Sequence, residues 1–131
     1  MRWDVEVEEI RSGEDDAVLW VSLGFESELA KNDVLFIVCG KSVDEQDREL
    51  GMDGLYFERF NQINSCYNAA ERISVTEDAI SISLTEEGRG ELKLPELVRF
   101  GCSLVSTEFR EARKVFEKMM RYDWAKAVQS A

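Results

Sequence analysis

A carboxylate, an amide, a thiol and a phenol follow one another in one short stretch, as Glu58, Gln62, Cys66 and Tyr67. Taken as chemistry, the set offers a general acid or base, a hydrogen-bonding orienter and a nucleophile. A nucleophilic thiol needs its pKa lowered by a base, a cation or a helix N-terminus. The chain has no histidine. That removes the commonest general base, the usual partner of a catalytic Cys or Ser, and the commonest transition-metal ligand. The nearest cations along the chain are Arg59 and Arg72. Catalysis at Cys66 is therefore disfavoured, and Tyr67 reads as a half-buried packing residue with its hydroxyl at the surface.

Carboxylates form the second chemical resource. They are dense at Asp4, Glu6, Glu8 and Glu9, again at Glu14, Asp15 and Asp16, and again at Asp44, Glu45, Asp47 and Glu49. Neither of the last two groups has the alternating ligands, central glycine and terminal glutamate of an EF-hand loop. Gly88-Arg89-Gly90 lacks the GKS or GKT and the helix of a phosphate loop. No cofactor and no metal are expected. The net charge of -11 and pI near 4.5 repel nucleic acid and anionic membrane surfaces and attract basic partners. Solubility alone is the plain alternative. Basic residues are scattered, without an aromatic-basic face for nucleic acid.

The three cysteines, Cys39, Cys66 and Cys102, are odd in number, widely separated and without a CxxC spacing. Cys39 and Cys102 lie in apolar stretches, where a free thiol behaves as a small buried hydrophobe. Cys66 is the one in a polar setting. No structural disulfide is expected, and residence in the cytoplasm follows. The charged start Met1-Arg2-Trp3-Asp4 has no apolar h-region of a signal peptide, and no apolar run reaches membrane-spanning length.

These groups must be positioned by elements that period and punctuation outline. With 131 residues and a 44% hydrophobic fraction, one domain over 1–131 with one core is expected. Trp3–Glu8 alternates apolar and acidic, as a strand with one wet face does. A polar turn over Arg11–Asp16 leads to a strand over Ala17–Phe25, with Leu19, Val21, Leu23 and Phe25 on one face. Val34–Cys39 reads as a buried strand, and Gly40–Gly54 as an acidic loop or short helix. Leu55–Phe60 returns to strand. Strict alternation puts Glu58 on the face of Tyr56 and Phe60, where it needs a partner such as Arg59 or Arg72. Arg72–Thr76 and Ala79–Thr85 flank Glu77-Asp78 as a hairpin. Glu86–Gly90 reads as a turn, Glu91–Leu94 as a short strand ended by Pro95, and Val98–Val105 as another strand. A helix follows from Thr107 to about Met120, with Ser106 or Thr107 as N-cap and Phe109, Ala112, Phe116 and Met119 or Met120 on one face. The fold class expected is α+β: a mostly antiparallel sheet with a C-terminal amphipathic helix packed on one face.

The stretch Leu55-Tyr56-Phe57-Glu58-Arg59-Phe60-Asn61-Gln62-Ile63-Asn64-Ser65-Cys66-Tyr67 resembles the central signature of the immunity protein 10 family, the antidotes of bacterial polymorphic toxin systems. The matching residues are Glu58 in an aromatic strand, Gln62 a few residues on, and the Cys66-Tyr67 pair before a hairpin. The resemblance runs from about Leu55 into the C-terminal helix, and the first third is not distinctive. It implies an inhibitor that binds a cognate toxin domain and has no catalysis of its own. Many such toxins are nucleases with basic clefts, which an acidic antidote can occupy. The partner-binding residues then expected are Asp44, Glu45, Asp47 and Glu49 first, with Asp15, Asp16 and Glu58 behind them. Glu58 and Gln62 equally fit a local role, bonding the bend at Asn61-Gln62. Monomer and homodimer both remain open. A type III secretion chaperone matches in size and pI, but such chaperones open with a helix, whereas this chain opens with strand alternation.

Overall fold

The computed structural model describes residues 2–130; residues 1 and 131 of the expected domain lie outside the described residues. The N-terminal alternation becomes β1 (Arg2–Glu14), which buries Val5 and Val7 and exposes Asp4, Glu6 and Glu8. Period two would then point Ile10 outward. A register shift between Val7 and Glu9 inserts an extra residue, and Ile10 is buried. A bulge of this kind re-phases a strand and sharpens its twist. The expected turn over Arg11–Asp16 is shorter than its polarity suggests. β1 runs to Glu14, and the bend comes where Asp15 Oδ1 accepts the N–H groups of Ala17 (2.7 Å) and Val18 (2.9 Å).

β2 (Val18–Phe25), β3 (Asp33–Gly40), β4 (Tyr56–Arg59) and β5 (Asn61–Tyr67) follow as successive antiparallel neighbours. The hairpin around Glu77-Asp78 forms as β6 (Ala70–Val75) and β7 (Ala79–Leu84), with Val75 opposite Ile80. β8 (Leu97–Gly101) stops short of the expected Val105, because Ser103–Val105 wind into a 3-10 turn. β9 (Val128–Ser130), for which the sequence carried no visible signal, lies parallel to β6. Among the described residues the nine strands form one sheet in the order β5-β4-β3-β2-β1-β8-β7-β6-β9. Only the β1–β8 and β6–β9 ladders are parallel.

β1 serves both halves of this sheet. Arg2–Glu6 pair with β8, and beyond them Val7–Glu14 pair with β2. Phe25 packs at the handover, its ring 6.1 Å from Trp3 and 5.3 Å from Phe100. The inward side chains of both halves join one hydrophobic core.

Among the described residues three α-helices accompany the sheet: α1 (Glu45–Glu49), α2 (Glu86–Leu92) and α3 (Ser106–Met119). α3 packs against β1 and β2 and buries Phe109, Ala112, Val115, Phe116 and Met119, while Met120 is exposed. The architecture is thus a mixed, mostly antiparallel sheet with the C-terminal helix on one face. Neither Ser106 nor Thr107 caps α3. The chain enters already wound from the 3-10 turn, Val105 takes the cap position, and no side chain bonds there. α2 replaces the expected turn and strand over Glu86–Leu94. Thr85 Oγ1 accepts the Gly88 N–H at 2.9 Å and donates to the Ala69 carbonyl at 3.2 Å, which caps and anchors α2 together. Two glycines argue against a helix by about 1 kcal/mol each. Gly88 is nonetheless required, because a Cβ there would lie 2.3 Å from the Ala69 carbonyl oxygen.

Candidate functional site

On β4, neighbouring residues face opposite ways and meet different fates. Arg59 points into the core and is 3% exposed. Its Nε and Nη2 donate to Asp33 Oδ2 at 3.1 and 2.9 Å, and Nη1 donates to the carbonyls of Leu92 (3.0 Å) and Lys93 (2.6 Å). Asp33 also accepts from Ser27 Oγ (2.5 Å) and the Val34 N–H (2.8 Å). The guanidinium lies over the Trp3 ring, 5.9 Å from its centroid. A buried ion pair needs this density of bonds to offset desolvation. The pair also satisfies carbonyls at the end of α2 that the helix leaves without partners.

Glu58 points the other way, as strict alternation required, and is half-buried. The cation partners considered for it are both engaged elsewhere. Arg59 is turned inward, and Arg72 Nε donates to Ser74 Oγ at 3.0 Å. Glu58 instead accepts from the Tyr56 hydroxyl at 2.8 Å. Burial, ahead of the effect of Glu58 itself, pushes the Tyr56 phenol above its ordinary pKa, so it remains a donor.

Around Glu58 lies the outer face of the β2–β5 half of the sheet. One cross-strand row runs Gly13, Trp20, Val38, Tyr56, Tyr67, and the next runs Arg11, Ser22, Phe36, Glu58, Ser65. The Tyr56 and Tyr67 rings are 5.1 Å apart. Trp20, Phe36, Val38, Tyr56, Glu58 and Tyr67 are all half-buried. Among the described residues no helix seals them: α1 buries none of its own residues, the end of α2 meets the inward Arg59, and α3 packs into the core against β1 and β2.

The remaining signature residues divide between this face, its rim and the core. Tyr67 is on the face. Phe60 leaves it, with φ 66, and is exposed. It therefore does not extend the Tyr56–Glu58 face as alternation suggested. Gln62 is exposed beside it. The bend is held by the Asn61 side chain accepting the Ile63 N–H at 3.0 Å and by Ser65 Oγ donating to the Gln62 carbonyl at 2.8 Å, not by the Gln62 amide. Cys66, the one cysteine in a polar sequence setting, is turned inward and buried. Burial first, then the carboxylates of Glu87 and Glu91, push its thiol up, away from the thiolate a nucleophile needs. Cys39 and Cys102 are buried, with burial raising their thiols to about 11 and about 12.

The acidic segments gather at one end of the same half-sheet. The β1–β2 turn and the β3–β4 connector are tied by the Lys41 N–H donating to the Ala17 carbonyl at 2.8 Å. Asp15, Asp16, Asp44, Glu45, Asp47 and Glu49 therefore share that end, whereas Glu58 is on the sheet face and not part of this group. Some of these acids have local work. Asp15 makes the turn, and its backbone bonds hold its carboxyl below the usual range. Asp44 and Asp47 form a reciprocal capping box on α1, at 2.7 and 3.1 Å. Asp16, Glu45 and Glu49 are exposed. Among the described residues no three His, Cys, Asp or Glu side chains converge as metal ligands, and no helix is long and apolar enough to cross a membrane.

Sequence reasoning missed the Asp33–Arg59 pair: Arg59 was considered only as a neighbour of Cys66 and a partner for Glu58, and Asp33 not at all. The available signal was an acid opening the most apolar strand and an arginine within an aromatic one, each requiring a partner if buried. No curated protein and no solved structure matches the chain. The family model described as Immunity protein 10 matches residues 5–110, from β1 into α3. The match takes in the first third, which by its residues alone looked undistinctive, as well as the segment carrying Glu58, Gln62, Cys66 and Tyr67; the chain belongs to the immunity protein 10 family.

Proposed function

We propose that this protein binds a cognate bacterial toxin domain and neutralises it stoichiometrically, with no catalysis of its own. The family match over residues 5–110 carries the reading. The net charge of -11 and the acids gathered at one end of the sheet support a basic partner. Such a field raises association rates roughly ten- to a thousandfold and is screened by salt. Aromatic anchors, rather than total charge, then set the dissociation rate. A nuclease domain with a basic cleft is the toxin class that fits best, and the complex forms in the cytoplasm.

The test is co-expression with the toxin domain encoded beside it, followed by binding kinetics across a salt series. The intact protein is expected to restore growth and to associate more slowly as salt rises. Failure both to rescue and to bind would remove the immunity reading. Reversing Asp44, Glu45, Asp47 and Glu49 to Lys is expected to slow association, most at low salt.

A further inference from the structure

Resting on the toxin-binding reading, we infer that the outer face of β2–β5 is the docking surface, where Glu58 receives a lysine or arginine of the toxin and Trp20, Phe36, Tyr56 and Tyr67 pack around that contact. The uncovered face of an antiparallel sheet is ordinarily polar. Here it presents aromatic rings instead, in two adjoining cross-strand rows. Aromatic enrichment with few charges is the composition of an interface core.

Charge selects the occupant. No lysine or arginine points outward from β2, β3, β4 or β5; the one arginine in these strands, Arg59, is turned into the core. At the β1 rim, Arg11 is held by Glu9 at 2.6 Å. Glu58 is the charged group within the face, and its one hydrogen bond comes from Tyr56. An ionised carboxylate has about four acceptor positions, so Glu58 keeps capacity for a guanidinium or ammonium group, a stronger charge-assisted bond. The acids of the β1–β2 turn and of α1 border this face and extend its negative field. A second copy of the chain fits poorly, since both copies carry the same large negative charge. The sheet ladders and the Tyr56–Tyr67 contact hold the rings in place before binding, which limits the ordering cost.

The experiment pairs the intact chain with the adjacent toxin domain and reads two signals. Hydroxyl-radical footprinting of the wild-type complex is expected to show reduced oxidation at Trp20, Phe36, Tyr56 and Tyr67. Glu58→Lys is expected to weaken binding by at least about thirtyfold, and Phe36→Ala to speed dissociation by about tenfold or more. Circular dichroism checks that each variant is folded, and the wild-type footprint decides the matter if one is not. A complex whose footprint falls on α1, with Glu58→Lys binding within about twofold of wild type, would overturn this face and leave the immunity reading intact. No complex with the wild-type chain would remove both. Protection of the same rings in the isolated protein at rising concentration would make the face a self-association surface and overturn the assignment.

Discussion

The two faces of β4 and its neighbours are built from the same alternation, yet they are held by different physics. Inward, Phe57 and Arg59 are buried, and every polar group of the Asp33–Arg59 pair is engaged. Outward, Tyr56 and Glu58 are half-buried, and one hydrogen bond joins them. The inner charge is costly to disturb because water cannot replace a lost partner. The outer charge can exchange water for a ligand at little cost to the fold. Two adjacent residues thus differ in kind: Arg59 is locked into the fold, and Glu58 is left with capacity for the contact proposed above.

The comparison breaks most visibly at Arg59. Arg59→Met should destabilise the protein by about 3–5 kcal/mol, because Asp33 keeps a buried charge without its cation. Urea denaturation measures this, and replacing Asp33 and Arg59 together by apolar residues should recover most of the loss. Phe57→Ala on the inner face, and Phe116→Ala where α3 meets the sheet, should each cost about 3–5 kcal/mol. Phe36→Ala on the outer face should cost about 1 kcal/mol, since the ring is already partly solvated. Equal losses for Phe57 and Phe36 would show that the outer face is not open.

Smaller effects sharpen the contrast. Gly90→Ala should stabilise α2 by about 0.8–1 kcal/mol, since nothing lies within 4 Å of an added Cβ. Gly88→Ala should lower the melting temperature, because its Cβ would collide with Ala69. Glu58→Gln should change stability by less than about 0.5 kcal/mol while weakening toxin binding.

The smallest effect is expected at the exposed Glu14. Lys118 first and Lys41 second, each bonded to it, bring its carboxyl down to about 2. A depressed folded pKa contributes stability above the ordinary carboxyl range, and that contribution fades as pH falls from about 4.5 towards 2. Glu14→Gln should therefore lower the melting temperature slightly in the neutral region and leave it nearly unchanged near pH 2, so that the acid limb of the profile is shallower.

Much of this was legible wherever one local rule dominated. Ile80, Ile82 and Leu84 alternate with small polar residues, and their strand formed as read. Phe109, Ala112, Phe116 and Met119 recur at helical spacing, and α3 docks through them. Glu58 was placed on the correct face by counting from Tyr56. Errors arose where a distant contact overruled the local rule. α2 contains two glycines and forms because Thr85 caps it, Ala69 sits against Gly88, and Arg59 donates to the carbonyls at its C-terminal end. Cys66 has polar neighbours in sequence but an inward position in space.

By itself the sequence determined the strand alternation, the amphipathic C-terminal helix, the absence of histidine and the acidic charge, since each depends on residue type and period alone. It also carried the stretch around Glu58 that resembles the immunity protein 10 family, to which the match over residues 5–110 assigns the chain. Only the tertiary structure decided that β1 serves two half-sheets, that Asp33 neutralises Arg59 across 26 positions of chain, and that Trp20, Phe36 and Tyr67 join Glu58 on an uncovered face. Those facts depend on strand order and register, which bring side chains together across sequence separations that no local periodicity encodes.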